Sequence, residues 1–199
     1  EMQRSLVGSE MCIETAPVNN EKELRQIKRH MGHSADCFSK AFRVKNSNRD
    51  NVFWNYYDKH NYHKEDIHYW YHGSRNMNCL SILHNGLVLN PKAPKVGHMF
   101  GYGIYLAPKA KKSIGYTIEW VFLGTWTSDK AYLFVMKTVY KSPYHVYTWT
   151  SGMKSLTQSR ISPHDAVFAH AGTSLRNDEV VIFDDAQVTL QYIIELKQQ

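Results

Sequence analysis

Apolar positions recur with helical spacing near the start of the chain. Leu24, Ile27 and Met31 stand at i, i+3 and i+7 within EKELRQIKRHMGH, so a helix is expected from Glu21. Asn20 is its candidate N-cap, with acids in the first turn and basic residues later. The stripe reads as core packing. Ahead of it, residues 8–16 have the pattern of a short strand. After it, residues 37–45 alternate as a strand does, and 46–61 run from polar to aromatic, which suggests a short helix. IHYWYHG (67–73) is an aromatic-rich strand, and RNMNCLSILHNG (75–86) a helix with Leu80 and Leu83 packing inward and Gly86 closing it. A loop containing Pro91, Pro94 and Gly97 follows. Residues 102–107 then form a short strand, and 108–117 a helix with Pro108 in its first turn.

From Ala131 the pattern changes. Residues 131–140, 145–150, 166–170, 179–185 and 187–196 are all strand-like. Helices cluster early and strands late, without βαβ alternation. That predicts an α+β fold with largely antiparallel sheet. No Gly-, Ser- or Pro-rich linker divides the 199 residues, so one domain spanning 1–199 is expected, with its core over about 10–197.

Charge adds a direction. The formal net charge is +6, and the tract from Ile67 to Ile118 contains no Asp or Glu but carries Arg75, Lys92, Lys95, Lys109, Lys111 and Lys112. Such a tract favours a phosphate-bearing ligand, a solvated basic face being the plainer alternative. Cys12, Cys37 and Cys79 have neither disulfide-framework nor metal-site spacing, which suits an intracellular, reducing compartment, cytoplasmic or nuclear. No stretch approaches the length of a membrane span, and the first residues lack a signal-peptide core.

Several motifs are absent. GYG at 101–103 lacks the third glycine of a dinucleotide fingerprint and precedes a strand. There is no phosphate-binding GxxxxGK[ST] loop and no GxSxG elbow. The spacings His30/His33 and His60/His63 read as surface histidines, and no metal is called for.

Three segments remain: YHGSR at 71–75, GHMFGYGIYLAPKAKKSIGYT at 97–117, and NDEVVIFDDAQVTLQYIIEL from Asn177. In order and spacing they closely resemble the catalytic domain of the poly(ADP-ribose) polymerases. The likeness covers roughly residues 10 to 197. It implies an ADP-ribosyltransferase fold, with two largely antiparallel sheets and flanking helices around an NAD cleft. It also implies an NAD-dependent ADP-ribosyltransferase that releases nicotinamide and passes ADP-ribose to a macromolecular acceptor. The acceptor is expected to be protein, with nucleic acid open, and the enzyme to act as a monomer off the membrane. NAD is the substrate.

The family's His-Tyr-Glu triad maps onto His72, Tyr105 and Glu179. Cleavage of NAD passes through an oxocarbenium-like state, and a desolvated carboxylate such as Glu179 would stabilise the developing positive charge and polarise the acceptor. His72, helped by Ser74, resembles the residue that bonds the adenosine ribose. The Gly73 backbone and the Ser113 hydroxyl resemble the carboxamide-binding pair, glycine allowing close approach to the main chain. Tyr116 and Tyr105 would cover the two faces of the nicotinamide ring.

Asn177 and Asp178 stand where polymerising members often place a Tyr-Asn pair, Val88 where some carry a basic residue, and Tyr102 where Lys is common. Single ADP-ribose transfer is therefore the alternative to polymer synthesis. An inactive NAD- or ADP-ribose-binding module is the alternative from another class. The 71 residues ahead of His72 leave no room for the regulatory helical bundle of DNA-dependent members, so an open NAD site is expected.

Overall fold

The computed structural model describes residues 13–89, 98–117 and 130–197. The expected Pro91–Pro94–Gly97 loop, Cys12 and the first half of the 8–16 strand lie outside the described residues. Among the described residues, nine strands form two sheets. The first has the order β1 (Ile13–Pro17), β2 (Phe38–Asn46), β9 (Val188–Lys197), β5 (Lys130–Val139), β3 (Ile67–Gly73), and every pair in it is antiparallel. The second has the order β4 (Ile104–Leu106), β8 (Glu179–Ile182), β7 (Ala166–Ala169), β6 (Pro143–Val146). Its β6–β7 pair is parallel and the others antiparallel. The expected α+β class with largely antiparallel sheet is what the chain adopts.

Alternation along the strands distributes the core. Phe134 and Met136 of β5 join Ile104 and Leu106 of β4 and Val180 and Ile182 of β8, filling the space between the sheets. Leu133 and Val135 face the other way, against Ile27 and Met31 of helix α1 (Glu21–Met31) and Ala110 of helix α4 (Ala110–Thr117). Val181 of β8, Val167 and Phe100 make a third cluster on the far side of the second sheet. β5 and β8 therefore have apolar neighbours on both faces, which is why their sequences read as continuous apolar runs.

Helix α1 begins where expected, the Asn20 side chain accepting from the Glu23 N–H at 3.1 Å. Helix α2 (Ser47–Lys59) is longer than its sequence suggests, at 13 residues. Among its described residues only Phe53 is fully buried, so no apolar stripe announces it. Asn46 starts it by accepting from the Arg49 N–H while its amide donates to the Leu83 and His84 carbonyls. That ties it to helix α3 (Cys79–Asn85).

Three expectations need correction. Leu80 does not pack: it is 72% exposed, and Ile82 is buried in its place. A 3₁₀ turn over Asn76–Asn78 delays the helix to Cys79 and rotates the inward face. Pro108 stands just ahead of α4, not within its first turn. The 145–150 strand is displaced to Pro143–Val146. Proline is tolerated there because β6 is an edge strand, and Trp149 instead donates to the Met99 carbonyl at 2.7 Å.

Candidate active site

Among the described residues, the edges of the two sheets are joined by one isolated bridge. Tyr71 of β3 and Ala107, just beyond β4, exchange both backbone hydrogen bonds at 2.9 Å. Beyond this bridge the strands part. In an antiparallel strand, residues two apart present their backbone groups to the same side. Tyr71 directs its N–H and C=O away from β5, so Gly73 does the same, at the open end of the gap facing Tyr105. A main-chain donor and acceptor are thus offered side by side, which is what a carboxamide requires.

His72, between them, sends its ring into the gap, and Nδ1 lies 3.0 Å from the Tyr105 carbonyl. A carbonyl only accepts, so Nδ1 carries the proton and Nε2 is left as an acceptor. Burial holds the imidazole below its ordinary pKa, which keeps it neutral. Ser74 accepts from the Asn78 amide at 2.9 Å, so its own hydroxyl hydrogen remains to donate.

Helix α4 closes this end. Ser113 is buried, and its backbone packs directly beneath Gly73. A side chain at position 73 would have its Cβ 1.8 Å from the Ser113 carbonyl oxygen. The glycine is therefore required first by the seating of α4 on β3, and this contact brings Ser113 beside the Gly73 main chain. Tyr116, one turn later, is 49% exposed.

Glu179 opens β8. It is 7% exposed, in a strand buried throughout, so its carboxylate is largely withdrawn from water. Its Oε1 forms an ion pair with Lys112 of α4. Tyr105 pairs with Val181, and Glu179 lies two residues from Val181 on the same face. Tyr105 is fixed by its hydroxyl, which accepts from the Phe100 N–H at 2.9 Å and donates to the Gly101 carbonyl at 2.8 Å. Burial, with the nearby Glu179 charge adding to it, pushes this phenol up to about 12.

The seven residues singled out from sequence thus gather around the β3–β4 junction, α4 and the start of β8. Sequence reasoning missed Lys112 as the partner of Glu179. It also missed Arg176, which with Lys111, Lys112, Gly115, Tyr116 and Asn177 lines a cavity of about 470 Å³ next to that pair. The acid-free basic tract was the available signal for the lysines.

Both histidine pairs are exposed, as expected. His60 bonds the Tyr56 carbonyl, and His30 turns Nδ1 to the buried Tyr71 hydroxyl at 2.6 Å. Among the described residues no group of three His, Cys, Asp or Glu could hold a metal ion.

His30, His68 and His72 are all held below the ordinary histidine value of 6.5, burial being the leading cause in each. Below that pH the unfolded chain binds more protons at these positions than the folded one. Stability must then fall as pH drops through about 6.5, and stay level in these groups above it. Thermal midpoints measured from about pH 8 to 5.5 test this, and a midpoint that rose on acidification would contradict it.

Comparison with known proteins gives a family match, to the poly(ADP-ribose) polymerase catalytic domain, over residues 21–198. The chain is 31% identical over 150 residues to poly(ADP-ribose) polymerase 1 of Xenopus laevis, covering 64% of this chain and 15% of that protein. A putative poly(ADP-ribose) polymerase-like protein of Invertebrate iridescent virus 6 is 24% identical over 132 residues, 63% of this chain and 68% of its own. Human poly(ADP-ribose) polymerase 2 is 46% identical over 57 residues, 27% of this chain and 10% of that protein.

Proposed function

The chain belongs to the poly(ADP-ribose) polymerase catalytic-domain family, and we propose that it uses the β3–β4 cleft to bind NAD, release nicotinamide and transfer ADP-ribose to a macromolecular acceptor. It spans about 15% of the length of the first relatives it matches, so their whole-protein activities reach it only within this proposal. The observation that carries the reading is Glu179, a nearly buried carboxylate on the same face as Tyr105 and one sheet junction from His72.

The residues fit NAD as substrate. The outward main chain of Gly73 and the Ser113 hydroxyl would hold the carboxamide, with Tyr105 and Tyr116 against the ring. The Nε2 acceptor of His72 would take a hydrogen from an adenosine ribose hydroxyl, and Ser74 would donate to the same sugar. Glu179 would then face the nicotinamide ribose. As the glycosidic bond breaks, the ring nitrogen takes the electron pair and positive charge moves to the sugar. A carboxylate in a water-poor pocket stabilises that charge more strongly than one in bulk water. Lys112 holds Oε1 in place, so the other carboxylate oxygen is the one offered to the ribose. Acceptor activation falls to the same group.

Elongation to poly(ADP-ribose) is the leading reading and single transfer the alternative. Asp178 is committed to the Ala171 N–H at 2.7 Å, a loop-fixing bond that takes it from the acceptor side. An intracellular setting suits the two described cysteines, both free thiols. No helix among the described residues is long and apolar enough to cross a membrane. A monomeric enzyme acting on a protein acceptor completes the proposal.

Incubation with radiolabelled NAD and gel separation tests it. A ladder is expected for elongation and one sharp band for single transfer. Bound NAD with neither label nor nicotinamide release would leave only a binding module.

A further inference from the structure

We infer that Trp149 is a positioning residue that ties together the two loops leading into Tyr105 and Glu179. The inference rests on the NAD-binding reading of the β3–β4 cleft and deepens it. Tyr105 sits in β4, a strand of three residues at the edge of its sheet. Its ring is set through its hydroxyl, which is bonded to the Phe100 N–H and the Gly101 carbonyl. The ring is therefore placed only as firmly as the turn at 98–101.

That turn is seated on the segment that follows β6. The Trp149 indole donates to the Met99 carbonyl at 2.7 Å. Gly101 has a φ of +84°, and an added Cβ there would lie 2.0 Å from the Leu156 carbonyl oxygen, so the two main chains touch. Phe100, fully buried, packs in one apolar cluster with Trp149, Met153, Leu156 and Tyr105. Trp149 also reaches the opposite loop. Its backbone N–H donates to the Ser174 hydroxyl at 3.0 Å. Ser174 lies between β7 and β8, in the loop that delivers Glu179, and Leu175 beside it is buried in the same cluster.

One residue thus extends a donor to each loop, and the two arms serve different stages of the reaction. The indole N–H is a single donor at the edge of a rigid ring, so it fixes the distance from the β6 segment to Met99. Through Met99 it sets Tyr105, which lies against the nicotinamide ring of bound NAD. The backbone arm sets the loop ahead of Glu179, whose carboxylate acts as the glycosidic bond breaks. Small displacements matter at such a site, a shift of about 1 Å costing on the order of 10²-fold in rate. Loss of the indole donor should then loosen NAD, and loss of the Ser174 hydroxyl should slow turnover.

The test uses the whole chain. Trp149→Phe keeps an aromatic ring in the cluster and removes the N–H. It is expected to weaken NAD binding about five- to tenfold by calorimetry, while nicotinamide release at saturating NAD stays within about twofold. Ser174→Ala should do the reverse, slowing release about three- to fivefold with NAD affinity unchanged. In a Tyr105→Phe background no hydroxyl is left to hold, and Trp149→Phe should weaken NAD binding by less than about twofold. An equal effect in both backgrounds, a loss of turnover without loss of affinity in Trp149→Phe, or a Ser174→Ala variant with parental turnover would overturn the inference. Hydrogen exchange in the NAD-free chain separates this from failure of the NAD reading. Faster exchange of the Phe100 amide in Trp149→Phe upholds the role of Trp149 in holding the turn even where no NAD binds. Unchanged exchange sinks it.

Discussion

Glu179→Gln is expected to slow nicotinamide release on the order of 10²–10³-fold while NAD binds almost as before. The substitution keeps the shape of the side chain at the start of β8 and removes its charge. Ground-state NAD carries its positive charge on the nicotinamide ring, and the sugar gains charge only as the bond breaks. The carboxylate therefore acts mainly on the transition state, and its loss appears in kcat far more than in affinity. The fold should survive. Glu179 is nearly buried, but its partner Lys112 keeps 21% of its side chain exposed, and the ammonium can turn to water. Calorimetric NAD binding, nicotinamide release and the thermal midpoint separate the three effects. A variant that retained full turnover would remove Glu179 from the chemistry, and one that lost NAD binding with turnover would make it a binding residue.

Much of this arrangement was legible in the sequence, and the reasons are local. The α1 stripe, the Asn20 cap and the aromatic run of β3 each act within a few residues, so pattern and structure agree closely there. β5 and β9 were visible because core clusters on both faces demand unbroken apolar runs. Glu179 was found through its place in the family's pattern, since a charge heading the apolar run EVVI reads locally as a strand end, and the structure buries the whole strand.

The unread parts depend on distant partners. Lys112 is one of several lysines until α4 is laid against β8. Arg176 is one loop cation until the same packing sets it beside Lys111 and Lys112 at an open cleft. The role of Gly73 changed as well: its missing side chain serves the Ser113 carbonyl beneath it, a contact between residues forty positions apart in sequence. Leu80 was misplaced because a helical face depends on where the helix starts, and the 3₁₀ turn ahead of α3 shifts that start.

That revised role makes Gly73→Ala a strongly damaging single-methyl change. The new Cβ would lie 1.8 Å from the Ser113 oxygen and 2.7 Å from its carbonyl carbon, both backbone atoms. Neither can move aside as a flexible side chain would. Either the end of β3 or all of α4 must shift. A shift of β3 strains the Tyr71–Ala107 bridge, and a shift of α4 displaces Lys112 from Glu179. Overpacking of this kind costs about 3 kcal/mol, the upper part of its usual range, which for a chain of this size lowers the thermal midpoint by roughly 6–12 °C. NAD affinity should fall with it, because the carboxamide-binding main chain and the Ser113 hydroxyl separate. Gly115→Ala in the same helix is the internal control. Nothing lies within 4 Å of its added Cβ. Alanine suits a helix interior better than glycine by about 1 kcal/mol, so that variant should gain roughly 2–4 °C. Opposite signs for two Gly→Ala changes on neighbouring elements would locate the constraint in the β3–α4 contact. If Gly73→Ala kept both its midpoint and its NAD affinity, α4 would not be seated on β3 through Ser113.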